Sequence, residues 1–429
     1  MKKIAISMTI CLIVFLIIFL NINSKEKTEI NENNNISIIL ETEEGNLETS
    51  TFPSKDDYEY SDVICENTND KIDISFNEET WKLNLSVEEE SVDGSFNCIV
   101  YFKESGDIAT KIIKEKYDNG STDIMKLNQP STDQTPALTE YRYSGSEVNN
   151  YVLFNNEIWR IIGVFAVDDG TGNYKSRLKI IREESIGNYA WDTSKSSVND
   201  GYGISQWGES GSYVGADLMR LLNPGYENES INNSLYWNRG SGTCYNGSNN
   251  ATNSCDFSST GLTSDAKSMI DTVKYYTGTV GTGYYNVDTN TAYKKERGVF
   301  SFDLPVDNVE RTDFWIGKVG LMNMSDYGYA SNVCYNNVLL NDFDNEQDYR
   351  LEKCKSSNWI YNSNMIYTIN PYYSTEFLNN VRTVDGYGQV DALFAGYRRG
   401  VRPVVYLKPE VKIINGTGEK ESPFYLKLN

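Results

Sequence analysis

Residues 400–408, Gly-Val-Arg-Pro-Val-Val-Tyr-Leu-Lys, decide how the chain is read. Val401, Val404, Val405, Tyr406 and Leu407 make a β-branched and aromatic run, and Pro403 sits near its start, where a missing N–H costs least. So apolar a run close to the end of the sequence predicts a strand buried in the sheet that closes a domain. Arg402 within it is expected in a niche of carboxylates or carbonyls at the start of the strand, since a guanidinium beside a buried strand needs partners. Upstream, Val381-Arg-Thr-Val-Asp-Gly-Tyr-Gly reads as a strand with a glycine turn, and Phe394-Ala-Gly-Tyr as another.

The partner of that closing strand is sought at the other end of the same region. Residues 151–165 (YVLFNNEIWRIIGVF) read as a hairpin turning at Asn155–Asn156, with Trp159 and Ile161 on one face and Ile158, Arg160 and Ile162 on the other. A third strand is predicted over 174–182, after the Asp168-Asp-Gly-Thr-Gly turn, to complete a meander. Residues 212–222 and 264–276 carry helical spacing. In the second, Ala266, Met269, Ile270, Val273 and Tyr276 share a stripe, with Ser264-Asp265 as a cap and Gly278 as the stop. Long polar loops fill 223–262, 278–294 and 325–357, and loops of that length in a compact domain either carry function or need tying down.

Three stretches, GVRPVVYLK, FNNEIWRIIGVF (154–165) and GKVGLMNMSDYGYA (317–330), together resemble a recurring surface-protein module of low-GC Gram-positive gut bacteria. Members of that module close on a GVRPV-type strand and are mostly of unknown function. The closing strand is also distantly similar to the "GxR" end of C-type-lectin-like domains, a fold shared with formylglycine-generating enzymes and bacterial variable ligand-binding proteins. The resemblance covers roughly residues 141–428. It implies an α+β, C-type-lectin-like domain with paired terminal strands and a loop-rich middle that carries a binding surface. Formylglycine-generating enzymes use reactive cysteines in their C-terminal part. Cys334 and Cys354 match no such motif, so that activity is not carried over.

Composition narrows the choices. A net charge of −21 argues against nucleic acid and against an anionic membrane surface as ligands. Histidine is absent, which removes Ser-His-Asp and Cys-His nucleophiles, HExxH zinc sites and His-ligated copper or iron. Lys2 and Lys3 precede an apolar run over 4–20, followed by no small-residue cleavage pattern. We expect a transmembrane signal anchor (1–23), with a cleaved leader as the alternative, and export of everything after it. Membrane contact is through residues 4–20, at the cell membrane as a single-pass protein with its C-terminal part extracellular. Disulfides suit that setting. Sequence proximity and the domain reading favour Cys65–Cys98, Cys244–Cys255 and Cys334–Cys354.

The expected domain order is an acidic stalk (24–60), a small disulfide-stapled β module (61–103), a linker (104–140) with a short helical run at 108–117, and the surface domain (141–429). The module alternates at period two over four runs, with Trp81 between its cysteines, and is too short for an immunoglobulin domain. An apolar island at Ile36–Leu40 interrupts the stalk.

Chemistry is sparse. Asp342, Asp344 and Asp348 lie close together but lack the glycine and distal glutamate of an EF-hand, so they read as a solvated acidic loop with a weak calcium alternative. The Gly278–Gly283 run lacks the Lys-Ser/Thr of a phosphate loop. No spacing nominates a glycosidase acid pair, and no cofactor is expected. What remains is a binding surface of loop aromatics, Trp191, Trp207, Tyr236, Trp237, Tyr284 and Tyr285, set among Asn and Gly. The functional expectation is recognition or adhesion toward a glycan or protein ligand without catalysis. An exported enzyme acting on envelope or host glycans and a structural cell-surface component are the rivals.

Overall fold

A computed structural model describes residues 35–42, 45–53, 58–67, 72–78, 80–87, 96–104, 107–193, 203–246, 251–278, 287–298, 312–336, 338–342, 349–372 and 379–428. The 4–20 run, Tyr284, Tyr285, Asp344 and Asp348 lie outside those residues. The chain divides into two compact units, Met1–Gly106 and Asp107–Asn429. Strand far outweighs helix, and the helices are short, which places the protein in a β-rich α+β class. Three disulfides join Cys65 to Cys98, Cys244 to Cys255 and Cys334 to Cys354.

The first unit contains a four-stranded sheet in the order Gly45–Thr49, Asn35–Thr42, Phe96–Glu104, Tyr58–Asn67, with a separate hairpin, Ile72–Asn77 against Lys82–Val87. The region expected to be a solvated stalk therefore begins the sheet at Asn35. The Ile36–Leu40 island is one of its strands and runs parallel to Phe96–Glu104, because Ile38 and Leu40 pack with Val100 and Phe102 in the only apolar core the unit has among its described residues. Phe76 and Trp81 crowd Phe102 at ring separations of 5.2 and 5.6 Å, and the Trp81 indole N–H donates to the Pro53 carbonyl at 2.8 Å. Cys65 and Cys98 sit opposite each other in register on neighbouring strands, so the staple ties the edge strand Tyr58–Asn67 to Phe96–Glu104.

The second unit starts well before residue 141. The expected linker holds a helix, Ala109–Asp118, and two strands, Ile124–Gln129 and Leu138–Tyr143, that belong to the main sheet. The sheet's spine is the predicted meander. Tyr151–Phe154 and Glu157–Asp168 turn through Asn155 and Asn156, both at positive φ as a tight hairpin requires, and Tyr174–Arg182 follows. The long strand shares one edge between two neighbours, Tyr151–Phe154 along its first half and Leu138–Tyr143 beyond a bulge at Ile161/Gly163. Gly163 is what lets the second neighbour approach. A Cβ there would overlap the Tyr141 carbonyl oxygen.

The closing strand behaves as its composition predicts. Val404–Tyr406 is fully buried and pairs antiparallel with both Tyr174–Arg182 and Val319–Gly320. Further on, Phe424–Lys427 pairs parallel with Tyr151–Phe154, so late segments are sewn into the strands that open the meander. Arg402 occupies the expected niche. It donates to the carbonyls of Arg182 (2.8 Å) and Ile360 (3.0 Å) and lies 3.3 Å from the Glu183 carboxylate. A second, five-stranded sheet runs Asn188–Ala190, Arg398–Gly400, Ile366–Tyr372, Asn380–Val384, Val390–Phe394.

The helical readings need correction. Helix forms only over Asp217–Leu222 and Ser264–Met269. After Met269 the chain turns into a strand, Val273–Tyr276, paired with Phe314–Gly317, so the stripe taken for one long helix is half helix and half strand. Ile270 bridges to Leu407, and Asp271 leaves the helical path to meet Arg177 at 2.7 Å. The 223–262 region is shortened by a stapled hairpin, Ser241–Tyr245 with Thr252–Asp256. Cys354 lies on the helix Tyr349–Ser356.

Candidate functional site

The strand Phe314–Gly317, paired with Val273–Tyr276, forms one wall of a cleft of about 420 Å³. Glu209, Pro224, Tyr226, Thr272, Trp315 and Lys318 are among its lining residues. Alternation along Phe314–Gly317 explains the wall. Phe314 and Ile316 are the more exposed residues, while Trp315 and Gly317 alternate with them and are half-buried. Trp315 packs against Trp207 (6.1 Å between rings) and Tyr275 (5.5 Å), which anchor it from the core side. Two glycines clear its place. A Cβ on Gly317 would strike the six-membered ring of Trp315, and one on Gly208 would strike its pyrrole ring. The Tyr275 hydroxyl donates to the Lys318 carbonyl at 2.9 Å and so fixes the backbone beside the indole.

Polar groups surround this aromatic wall. Tyr226 donates its hydroxyl to Glu209 Oε1 at 2.9 Å, leaving the carboxylate further acceptor capacity. Burial, reinforced by Glu209, pushes the Tyr226 phenol far above its ordinary value, so it stays a neutral donor. Burial, with Lys408 nearby, lowers the Lys318 ammonium from its ordinary value against the pull of Asp271. Its Nζ lies 5.9 Å from the Trp237 ring, which Lys267 also approaches at 5.8 Å. The arrangement offers a half-exposed aromatic face, a carboxylate acceptor and an ammonium donor within one concavity of ligand size, in the range of about 300–1,000 Å³ usual for small-molecule sites.

A second concentration of charge is sealed inside the main sheet. Arg142, Glu140, Lys179, Asp326, Glu296 and Arg297 are all buried. Arg142 meets Glu140 at 2.8 Å and Asp326 at 2.9 Å, and Lys179 pairs with the other oxygen of Asp326. Arg297 meets Glu296 at 3.2 Å, and the Ser325 N–H donates to Glu296 at 2.9 Å. Burial pushes the Asp326 carboxyl up, but Lys179 and Arg142 outweigh it and hold the group below 3.8. A further pair of acids is likewise enclosed. Asp217 accepts from the Thr193 N–H (2.8 Å) and hydroxyl (2.6 Å) and from Arg220, and Asp192 accepts from the Ile204 N–H at 2.7 Å.

The loop aromatics expected to bind ligand divide sharply. Trp191, Trp207 and Tyr236 are at most 1% exposed, so they cannot present a face to a ligand. They belong to the buried core of the unit rather than to its surface. Trp191 and Trp207 pack edge to face, and Tyr236 packs on Phe257. Trp237 is half-buried and adjoins the cleft through Lys318. Trp315, Glu209, Tyr226 and Lys318 escaped the sequence reading. The signal that marks Trp315 is its place in Phe-Trp-Ile-Gly, a tryptophan next but one to a glycine in an alternating run. Of the acidic loop, Asp342 ends a short 3₁₀ turn, Leu340–Asp342. Among the described residues no group of three or more Cys, Asp or Glu is placed to hold a metal ion. The Asp168 turn is an Asx turn, its carboxylate accepting from the N–H groups of Gly170 and Gly172 at 2.8 Å each.

Comparison with family models, with curated proteins and with solved structures gave no match.

Proposed function

We propose that the second unit is a recognition domain that binds a carbohydrate in the Trp315 cleft. The observation that carries this reading is the half-buried indole of Trp315, given room by two glycines and lying beside Glu209, Tyr226, Thr272 and Lys318. A sugar ring presents an apolar face of C–H groups and a rim of hydroxyls, which match an aromatic wall edged by a carboxylate acceptor and an ammonium donor. Glu209 is the one carboxylate among the lining residues, whereas glycoside hydrolysis generally uses two. The enclosed acids Asp192 and Asp217 are spent on holding backbone and side chains. Recognition without turnover is therefore the reading we adopt.

The wider setting follows from the sequence. The apolar run at 4–20 anchors the chain in the cell membrane, and the two folded units lie outside the cell, the first acting as a spacer. The three disulfides support an oxidising compartment. We place the second unit with C-type-lectin-like domains of the bacterial surface-module kind, on the pairing of its early and late strands. The test is a glycan array probed with the exported part of the chain. Binding to a defined set of oligosaccharides, lost in Trp315→Ala, is expected. An array without signal, or signal unchanged in Trp315→Ala, contradicts the proposal.

A further inference from the structure

The sealed charge cluster holds an arrangement that ion pairing alone does not require. Lys179 Nζ, on a central strand, lies 3.0 Å from the side-chain carbonyl oxygen of Asn323 and also contacts Asp326. All three side chains are buried, and the rings of Tyr406 and Phe165 lie 5.2 and 5.6 Å from the amine. Asn323 is clamped from the far side, its Nδ2 donating to the Tyr276 carbonyl at 2.7 Å. An amine and an amide are thus held in hydrogen-bond contact, away from water, with a carboxylate touching the amine.

We propose that Lys179 and Asn323 join in an intramolecular isopeptide bond, formed by the protein on itself with Asp326 as the catalytic acid–base. Lys179 Nζ, as the free amine, attacks Asn323 Cγ. Asp326 takes a proton from the attacking nitrogen and delivers it to Nδ2. The Cγ–Nδ2 bond breaks, ammonia leaves, and a secondary amide links the two side chains. No oxidant, metal or co-reactant is consumed.

Three observations support the assignment of roles. Arg142, Arg297 and Lys179 crowd one buried cluster, and of these only lysine gives up its proton readily. Burial lowers the Lys179 ammonium from its ordinary value, the two arginines add to that, and Asp326 opposes it. Arg142 holds Asp326 as a carboxylate, which makes it a base and a poor electrophile, so the neutral amide of Asn323 is the acceptor. The bond would tie positions 144 residues apart, across the middle of the unit.

The experiment is intact-mass measurement of the full chain after complete reduction, followed by peptide mapping. The expected result is a mass one ammonia (about 17 Da) below that of the sequence, and a branched peptide joining Lys179 to Asn323. Lys179→Arg, which keeps a cation but removes the nucleophile, and Asn323→Ala each restore the full mass; the second variant serves if the first does not fold. A wild-type chain at full mass overturns the proposal. So does an ammonia loss that maps to an Asn-Gly site, or a branch losing water (about 18 Da) that ends on Asp326.

Discussion

The Trp315 cleft and the sealed cluster around Asp326 are built from the same parts, a lysine, a carboxylate and aromatic rings, and differ in enclosure. In the cluster each charge meets an opposite charge at close range, and the rings of Phe165, Tyr293 and Tyr329 close over Arg142. In the cleft Glu209 has the Tyr226 hydroxyl, Lys318 lies over the ring of Trp237, and one side stays open. The lesson is that residue type does not set the role here. A buried ion network directs its chemistry inward, where losing one member strands the others. The open site keeps hydrogen-bonding capacity for a visitor, and its polar members can be changed with little effect on the fold.

The contrast breaks most directly through stability. Asp326→Ala takes from the buried Arg142 one of its two anions, and should cost about 3–5 kcal/mol in chemical denaturation. Equal losses from Glu209→Ala would erase the distinction. Next in size, Trp315→Ala should weaken sugar binding by about 2 kcal/mol, read by calorimetry, as expected for a central aromatic anchor. A smaller effect is expected for Glu209→Gln, which keeps shape but weakens acceptance from hydroxyls. It should cost about 1 kcal/mol of affinity and leave the unfolding midpoint in place.

The subtlest test is pH. Asp326 lies below 3.8 in the folded state, so its contribution to stability is present above that value and lost as pH falls through the lower folded value. Unfolding measured below about pH 4 should show this acid loss, and Asp326→Asn should flatten it. Ligand binding at the cleft has no such dependence on Asp326.

Much of the frame was legible because it rests on local chemistry. The Asn155–Asn156 turn, the β-branched closing strand and the niche of Arg402 each follow from a few adjacent residues. The disulfide pairs followed from closeness in the chain. What was not legible depends on distant partners. Ile36–Leu40 reads as a lone apolar island until Phe96–Glu104 lies beside it. The 264–276 stripe satisfies helical spacing, yet Leu407 and Phe314–Gly317 draw its second half into strand pairing. Trp191, Trp207 and Tyr236 stand in polar loops in the sequence and in the buried core in the fold. Trp315 became visible as a site only through Gly208, which lies more than a hundred residues earlier in the chain.

The most direct measurement is a crystal structure of the second unit, residues 107–429, with the strongest oligosaccharide from the array bound. The account predicts a sugar ring stacked on Trp315, with a hydroxyl donating to Glu209 and an acceptor within reach of Lys318. A sugar bound elsewhere on the surface, with the Trp315 cleft left to solvent, would contradict it.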